Sequence, residues 1–104
     1  MKLDLLLHKV DVLDIIGDTN IKISNIQLDS RKISKGEMFI ALAGTQKSGD
    51  EFIKSAIKNG AKAIVCHNIP SNYYENITYI LVNDSSNALS IISNNFYDFP
   101  SKKL

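Results

Sequence analysis

Cys66 is the only cysteine, so an internal disulfide is impossible. Its place in the apolar run 63–66 predicts a buried thiol, and a cytoplasmic location fits the lack of bridges. Arginine is nearly absent too. Arg31 stands alone, and the other eleven cations are lysines scattered along a chain of net charge +1. That balance gives no electrostatic case for a nucleic-acid or membrane surface. No apolar run approaches the roughly 18 residues that a membrane helix needs. The start, M-K-L-D-L-L-L-H-K, carries an acid among its leucines and no small-residue cleavage site, unlike a signal peptide. Only five glycines occur, which limits the phosphate-binding loops the chain can build.

What is present is an ordinary globular composition, 44% hydrophobic and 22% charged over 104 residues. That length suits one domain, or a piece of a longer protein, with a core that needs neither disulfide nor metal. Leu3, Leu6 and Leu7 recur at helical spacing. Residues 17–20 are turn-like, and Ile21, Ile23 and Ile26 alternate with polar residues as in a half-buried strand. Continued through Ser30, that strand puts Leu28 and Ser30 on one face and Asp29 and Arg31 on the other. Lys35-Gly36-Glu37 reads as a tight turn before a strand at 38–41. Ser48 and Glu51 form a capping box, followed by a helical stripe of Phe52, Ile53, Ala56 and Ile57. Asn59-Gly60 ends that helix. Residues 61–66 are β-prone, 67–76 form a loop, and T-Y-I-L-V at 78–82 is a strand buried on both faces. Asp84 caps a last helix with the stripe Ala88, Leu89, Ile92 and Phe96, stopped by Phe99-Pro100-Ser101. Strands separated by helices predict an α/β layer with parallel pairing.

The stretch 27–52 carries the polar groups most suited to binding. Gly44 and Gly49 have phosphate-loop spacing, but Asp50 and Glu51 stand where lysine and a hydroxyl are required. His8, His67 and Cys66 have no ligand partners at metal-site spacing. Ser30 lacks a base and an oxyanion hole, so no catalytic residue is assigned. Asp29 and Arg31 suit an ion pair, or backbone hydrogen bonds at a strand end. Thr45, Gln46 and Lys47 offer a hydroxyl, an amide and a cation, enough to read a base edge and neutralise a phosphate.

The run D-S-R-K-I-S-K-G-E-M-F-I-A-L-A-G-T-Q-K-S-G, then F-I-K-S-A-I-K-N-G-A-K-A-I-V, resembles the N-terminal domain of the Mur ligases. The ending N-F-Y-D-F-P-S-K-K-L is similar to the segment that leads into their ATP-binding domain. The resemblance is nearest to the MurE branch, with the MurF branch as the alternative. It implies a small α/β domain with a mixed sheet and flanking helices. It also implies a partner, the uridine-diphosphate end of UDP-MurNAc-L-Ala-D-Glu. Leu28 and Ser30 match the strand-end contacts to that group, and Thr45, Gln46 and Lys47 match the loop that holds it. Two departures stand out. Ser48-Gly49-Asp50 replaces the usual Asp-Gly-His, and Thr45 stands where some relatives carry a histidine.

The resemblance further implies that residues 1–104 are one domain cut from a longer monomeric ligase. The central ATP-binding and C-terminal domains, with their ATP and magnesium, are then absent, and the chain alone is expected to be catalytically silent. No metal and no cofactor is assigned to it. Two other classes stay open: a protein-interaction module with this fold, marked by a large apolar patch, and an RNA-binding module, disfavoured by the charge and the lack of an aromatic stacking motif.

Overall fold

The computed structural model describes residues 2–42, 49–67 and 74–97, with side chains of the second helix described from Phe52 onward. Three helices, α1 (Leu3–Leu6), α2 (Gly49–Asn59) and α3 (Ser85–Tyr97), flank one sheet. Its strands are β1 (Val12–Ile16), β2 (Ile26–Gln27), β3 (Met38–Ile40), β4 (Ala63–Cys66) and β5 (Thr78–Val82), in the order β1-β5-β4-β3-β2. Strands β2 to β5 run parallel, and β1 closes the far edge antiparallel to β5. The sheet is therefore mixed, as the family resemblance implies.

Period-two alternation splits the core into two layers. Met38, Ile40, Ala63, Val65, Ile80 and Val82 join Leu3, Leu6, Ala88 and Ile92 on the α1 and α3 side. Phe39, Ile64, Cys66 and Tyr79 join Ile53 and Ala56 on the α2 side. Each inner strand thus feeds both faces, which explains why 78–82 lacks a polar alternation. Cys66 is buried, as its apolar run predicts.

The helix ends follow their sequence signals. Gly60 adopts φ +117°, its N–H donates to the Ile57 carbonyl at 3.1 Å, and the Ala61 N–H reaches Ala56 at 3.0 Å. This is a Schellman ending, which satisfies the Ala56 and Ile57 carbonyls in the last turn of α2. Asp84 Oδ1 accepts from the Asn87 N–H at 3.1 Å, the N-cap bond expected for α3. The capping box of Ser48 and Glu51 and the stop at Phe99-Pro100-Ser101 lie outside what is described, as does most of the loop after His67.

Two expectations fail. Residues 12–16 form a strand that the sequence reading passes over between the leucine helix and the Gly17 turn. The expected strand over Ile21–Ile26 shrinks to β2, preceded by an isolated bridge between Lys2 and Lys22. It also stops before Leu28. The Asp29 side chain accepts from the Arg31 N–H at 3.0 Å, and its carbonyl accepts from the Lys32 N–H at 3.0 Å. Those bonds wind residues Ser30–Lys32 into a 3-10 turn. A short acceptor side chain that captures nearby N–H groups competes with the strand ladder, and here it wins. Leu28 and Ser30 therefore do not share a strand face.

Candidate functional site

The carboxyl ends of β2 and β3 open into a cleft of about 600 Å³. Parallel sheets place ligand crevices at this end of their strands, and the volume falls within the usual range for small-molecule sites. One wall is the chain leaving β2: Gln27, Leu28, Asp29 and the 3-10 turn. The other is apolar, with Phe39, Ala41 and Leu42 from β3 and the chain beyond it, and Phe52 from the start of α2.

The polar wall is tightly bonded. Gln27 Oε1 accepts from the N–H groups of Leu28 at 3.0 Å and Asp29 at 3.2 Å. The Asp29 carboxylate also receives the Arg31 guanidinium, Nε on Oδ1 at 3.2 Å and Nη2 on Oδ2 at 3.2 Å. The ion pair expected for these residues is present, built within a turn rather than across a strand face. The guanidinium bonds, then the Arg31 N–H, hold the Asp29 carboxyl below the usual carboxylate range, and Asp29 raises Arg31 in return. The Arg31 side chain is 84% exposed, so the pair steers the local charge more than it stabilises the fold.

Both expected contacts from the polar wall line the cleft. Leu28 is half-exposed at its rim. Ser30 is only 4% exposed, set into the wall rather than displayed as a free surface hydroxyl. Its carbonyl accepts from Asn59 Nδ2 at 2.9 Å, which ties the turn to the last residue of α2. Thr45, Gln46 and Lys47 lie outside the described residues. Their segment joins Leu42 to α2, and both Leu42 and Phe52 line the cleft.

Several contributors escape a reading of the sequence. Gln27 gives no signal of its own, Phe52 reads as one member of a helical stripe, and Asn59 reads only as a helix stop. The Gly36 N–H donates to the Gly60 carbonyl at 2.9 Å and brings the end of α2 beside the turn before β3. Among the described residues no group of three or more His, Cys, Asp or Glu side chains could hold a metal ion. None of the described helices is long and apolar enough to cross a membrane.

Comparison with known proteins places this arrangement. The family model described as "Mur ligase family, catalytic domain" matches residues 22–97. A UDP-N-acetylmuramoyl-L-alanyl-D-glutamate–2,6-diaminopimelate ligase of Phocaeicola vulgatus is 42% identical over 104 residues, all of this chain and 22% of that protein. The ligase of the same name from Clostridioides difficile is 36% identical over 103 residues, 99% of this chain and 21% of that protein. The chain thus spans about a fifth of the length of the curated relatives it matches. Among solved structures, MurF from Acinetobacter baumannii superposes with a TM-score of 0.70 at 21% identity, over 90% of this chain and 20% of that one. The likeness extends to the fold alone. MurF ligase from Thermotoga maritima, in complex with ADP, gives a TM-score of 0.55 at 28% identity over 67% of this chain and 16% of that one. The extent of these matches, in sequence and in fold, means that the chain belongs to the Mur ligase family.

Proposed function

We propose that this chain holds the uridine-diphosphate end of UDP-MurNAc-L-Ala-D-Glu for an ATP-dependent ligase of the MurE type. The observation that carries the reading is the cleft itself. Leu28 and Ser30 line its β2 side, and Leu42 and Phe52, which flank the stretch of Thr45, Gln46 and Lys47 in the sequence, line its apolar side. In this reading the Ser30 hydroxyl donates to a phosphate or ribose oxygen. Gln46 and backbone amides read the uracil edge, Lys47 neutralises a phosphate, and Leu28 packs on the nucleoside. The relatives are named as 2,6-diaminopimelate ligases, which supports the reaction class and favours diaminopimelate over lysine as the amino acid that the longer enzyme adds.

The domain's role is then anchorage. Grip on a remote part of the substrate positions the glutamate carboxylate for chemistry elsewhere in a longer, monomeric, cytoplasmic enzyme. The residues present do not fit magnesium-ATP. Asp50 and Glu51 replace the lysine and hydroxyl of a phosphate loop, and the described residues gather no metal-ligating cluster. On this reading the ATP-dependent step belongs to the rest of the longer enzyme, and the chain by itself is expected to be catalytically silent.

Isothermal titration of the chain with UDP, and with ADP as control, tests the reading. UDP binds and ADP does not, because the base-reading groups fit a pyrimidine edge. Equal affinity for the two nucleotides, or none for UDP, contradicts it.

A further inference from the structure

The peptide unit between Ser30 and Arg31 is held at both edges. Its carbonyl accepts from Asn59 Nδ2 at 2.9 Å, and its N–H donates to Asp29 Oδ1 at 3.0 Å. A peptide unit is planar, so its orientation is set by the torsions on either side. Gripping both edges restrains ψ at Ser30 and φ at Arg31, and with them the stretch of backbone from which the Ser30 side chain departs. The Asp29 bond is local to the turn. The Asn59 bond spans 29 residues and, among the hydrogen bonds of the described residues, fastens the turn to another element.

Asn59 is not needed to end α2. The Gly60 and Ala61 N–H groups already satisfy the Ile57 and Ala56 carbonyls. The end of the helix is also pinned without its side chain, because the Gly60 carbonyl accepts from the Gly36 N–H. The Asn59 carboxamide is therefore free for Ser30. It does not line the cleft, so any effect on a ligand passes through the residue it holds.

We infer that Asn59 is a positioning residue for the bound nucleotide: by holding the Ser30 carbonyl it aims the Ser30 hydroxyl at an oxygen of a nucleoside diphosphate in the cleft. This rests on the reading of the cleft as a uridine-diphosphate site.

A double-mutant cycle tests the inference. UDP affinity is measured by isothermal titration for the 104-residue chain and for Asn59→Ala, Ser30→Ala and the double variant. Loss of one hydrogen bond to a charged group weakens binding about tenfold. Each single variant should lose about that much, and the double should be within about twofold of Ser30→Ala, since coupled residues are not additive. Losses that multiply to about a hundredfold, as independent sites do, overturn the inference. So does unchanged affinity in Asn59→Ala. Should Asn59→Ala fail to fold, the wild-type chain still decides by NMR. On adding UDP, the Asn59 side-chain amide signals should move together with the Ser30 backbone amide, and Asn59 signals that stay fixed overturn the role. Failure of the wild type to bind UDP removes the site reading itself, whereas binding that ignores Asn59 removes the positioning role alone.

Discussion

Gly60 lies flush against Lys35: a methyl group on Gly60 would stand 2.7 Å from the Lys35 Cα and 3.0 Å from its nitrogen. The nearest atoms are backbone and cannot swing aside. Gly60 also has φ +117°, where an L side chain is strained. Gly60→Ala should cost at least about 2 kcal/mol from backbone strain and displacement together. For a domain this size that is a fall in Tm of roughly 8 to 16 °C. Thermal denaturation followed by circular dichroism checks it. A change of about 2 °C or less would show that the close approach is not required.

Asn95 makes a contrasting contact on the other face. Its Nδ2 donates to the carbonyls of Leu6 and His8, both at 2.8 Å, and so closes the end of α1. Asn95→Ala should destabilise the chain by about 1 to 2 kcal/mol, the worth of a pair of such bonds. UDP affinity should stay within about twofold, because α1 and α3 cover the face opposite α2. Denaturant melts and titration calorimetry measure the two effects separately.

Acid should loosen the turn that carries Ser30. The Asp29 carboxyl is held below the usual carboxylate range, chiefly by the Arg31 side chain and then by the Arg31 N–H. A depressed folded-state value means that the contribution is present above the unfolded carboxylate range and is lost as pH falls through the folded one. The Arg31 amide resonance should therefore move with a midpoint below that of an unperturbed aspartate. Asp29→Asn should abolish that movement. A midpoint at or above about 3.9, the value of an unperturbed aspartate, would contradict the assignment.

The exposed edge of β1 makes a prediction about association. Its register slips between Val12 and Asp14, Leu13 is 59% exposed, and Asp14 Oδ1 accepts from the Ile15 N–H at 2.9 Å. A charge and an irregular register on an edge strand discourage pairing with another chain. Asp14→Val should raise the dimer and higher fractions seen by sedimentation velocity. A profile identical to wild type would count against this role of Asp14.

Legibility in the sequence followed the range of the forces involved. Strand β5 and helices α2 and α3 stood out because their patterns report burial directly: T-Y-I-L-V is apolar throughout, and Phe52, Ile53, Ala56 and Ile57 recur at helical period. Strand β1 did not, because Asp14 interrupts its apolar run and its partner β5 lies far along the chain. The cleft was half legible. Ser30 came from its place in the polar stretch 27–52 and Leu28 from the family resemblance, and both line it. The strand alternation offered in their support was wrong, because one aspartate side chain turned the backbone after Gln27. The grip of Asn59 on Ser30 is a contact between distant residues, which no local pattern encodes.

The most direct test of the anchoring account is a chemical-shift map of the ¹⁵N-labelled chain during titration with UDP. The account predicts that the largest changes fall at Leu28, Asp29, Ser30 and Arg31, at Leu42 and Phe52, and at Thr45, Gln46 and Lys47 between them. Changes centred on α1 and α3, or spectra that do not respond to UDP, would contradict it.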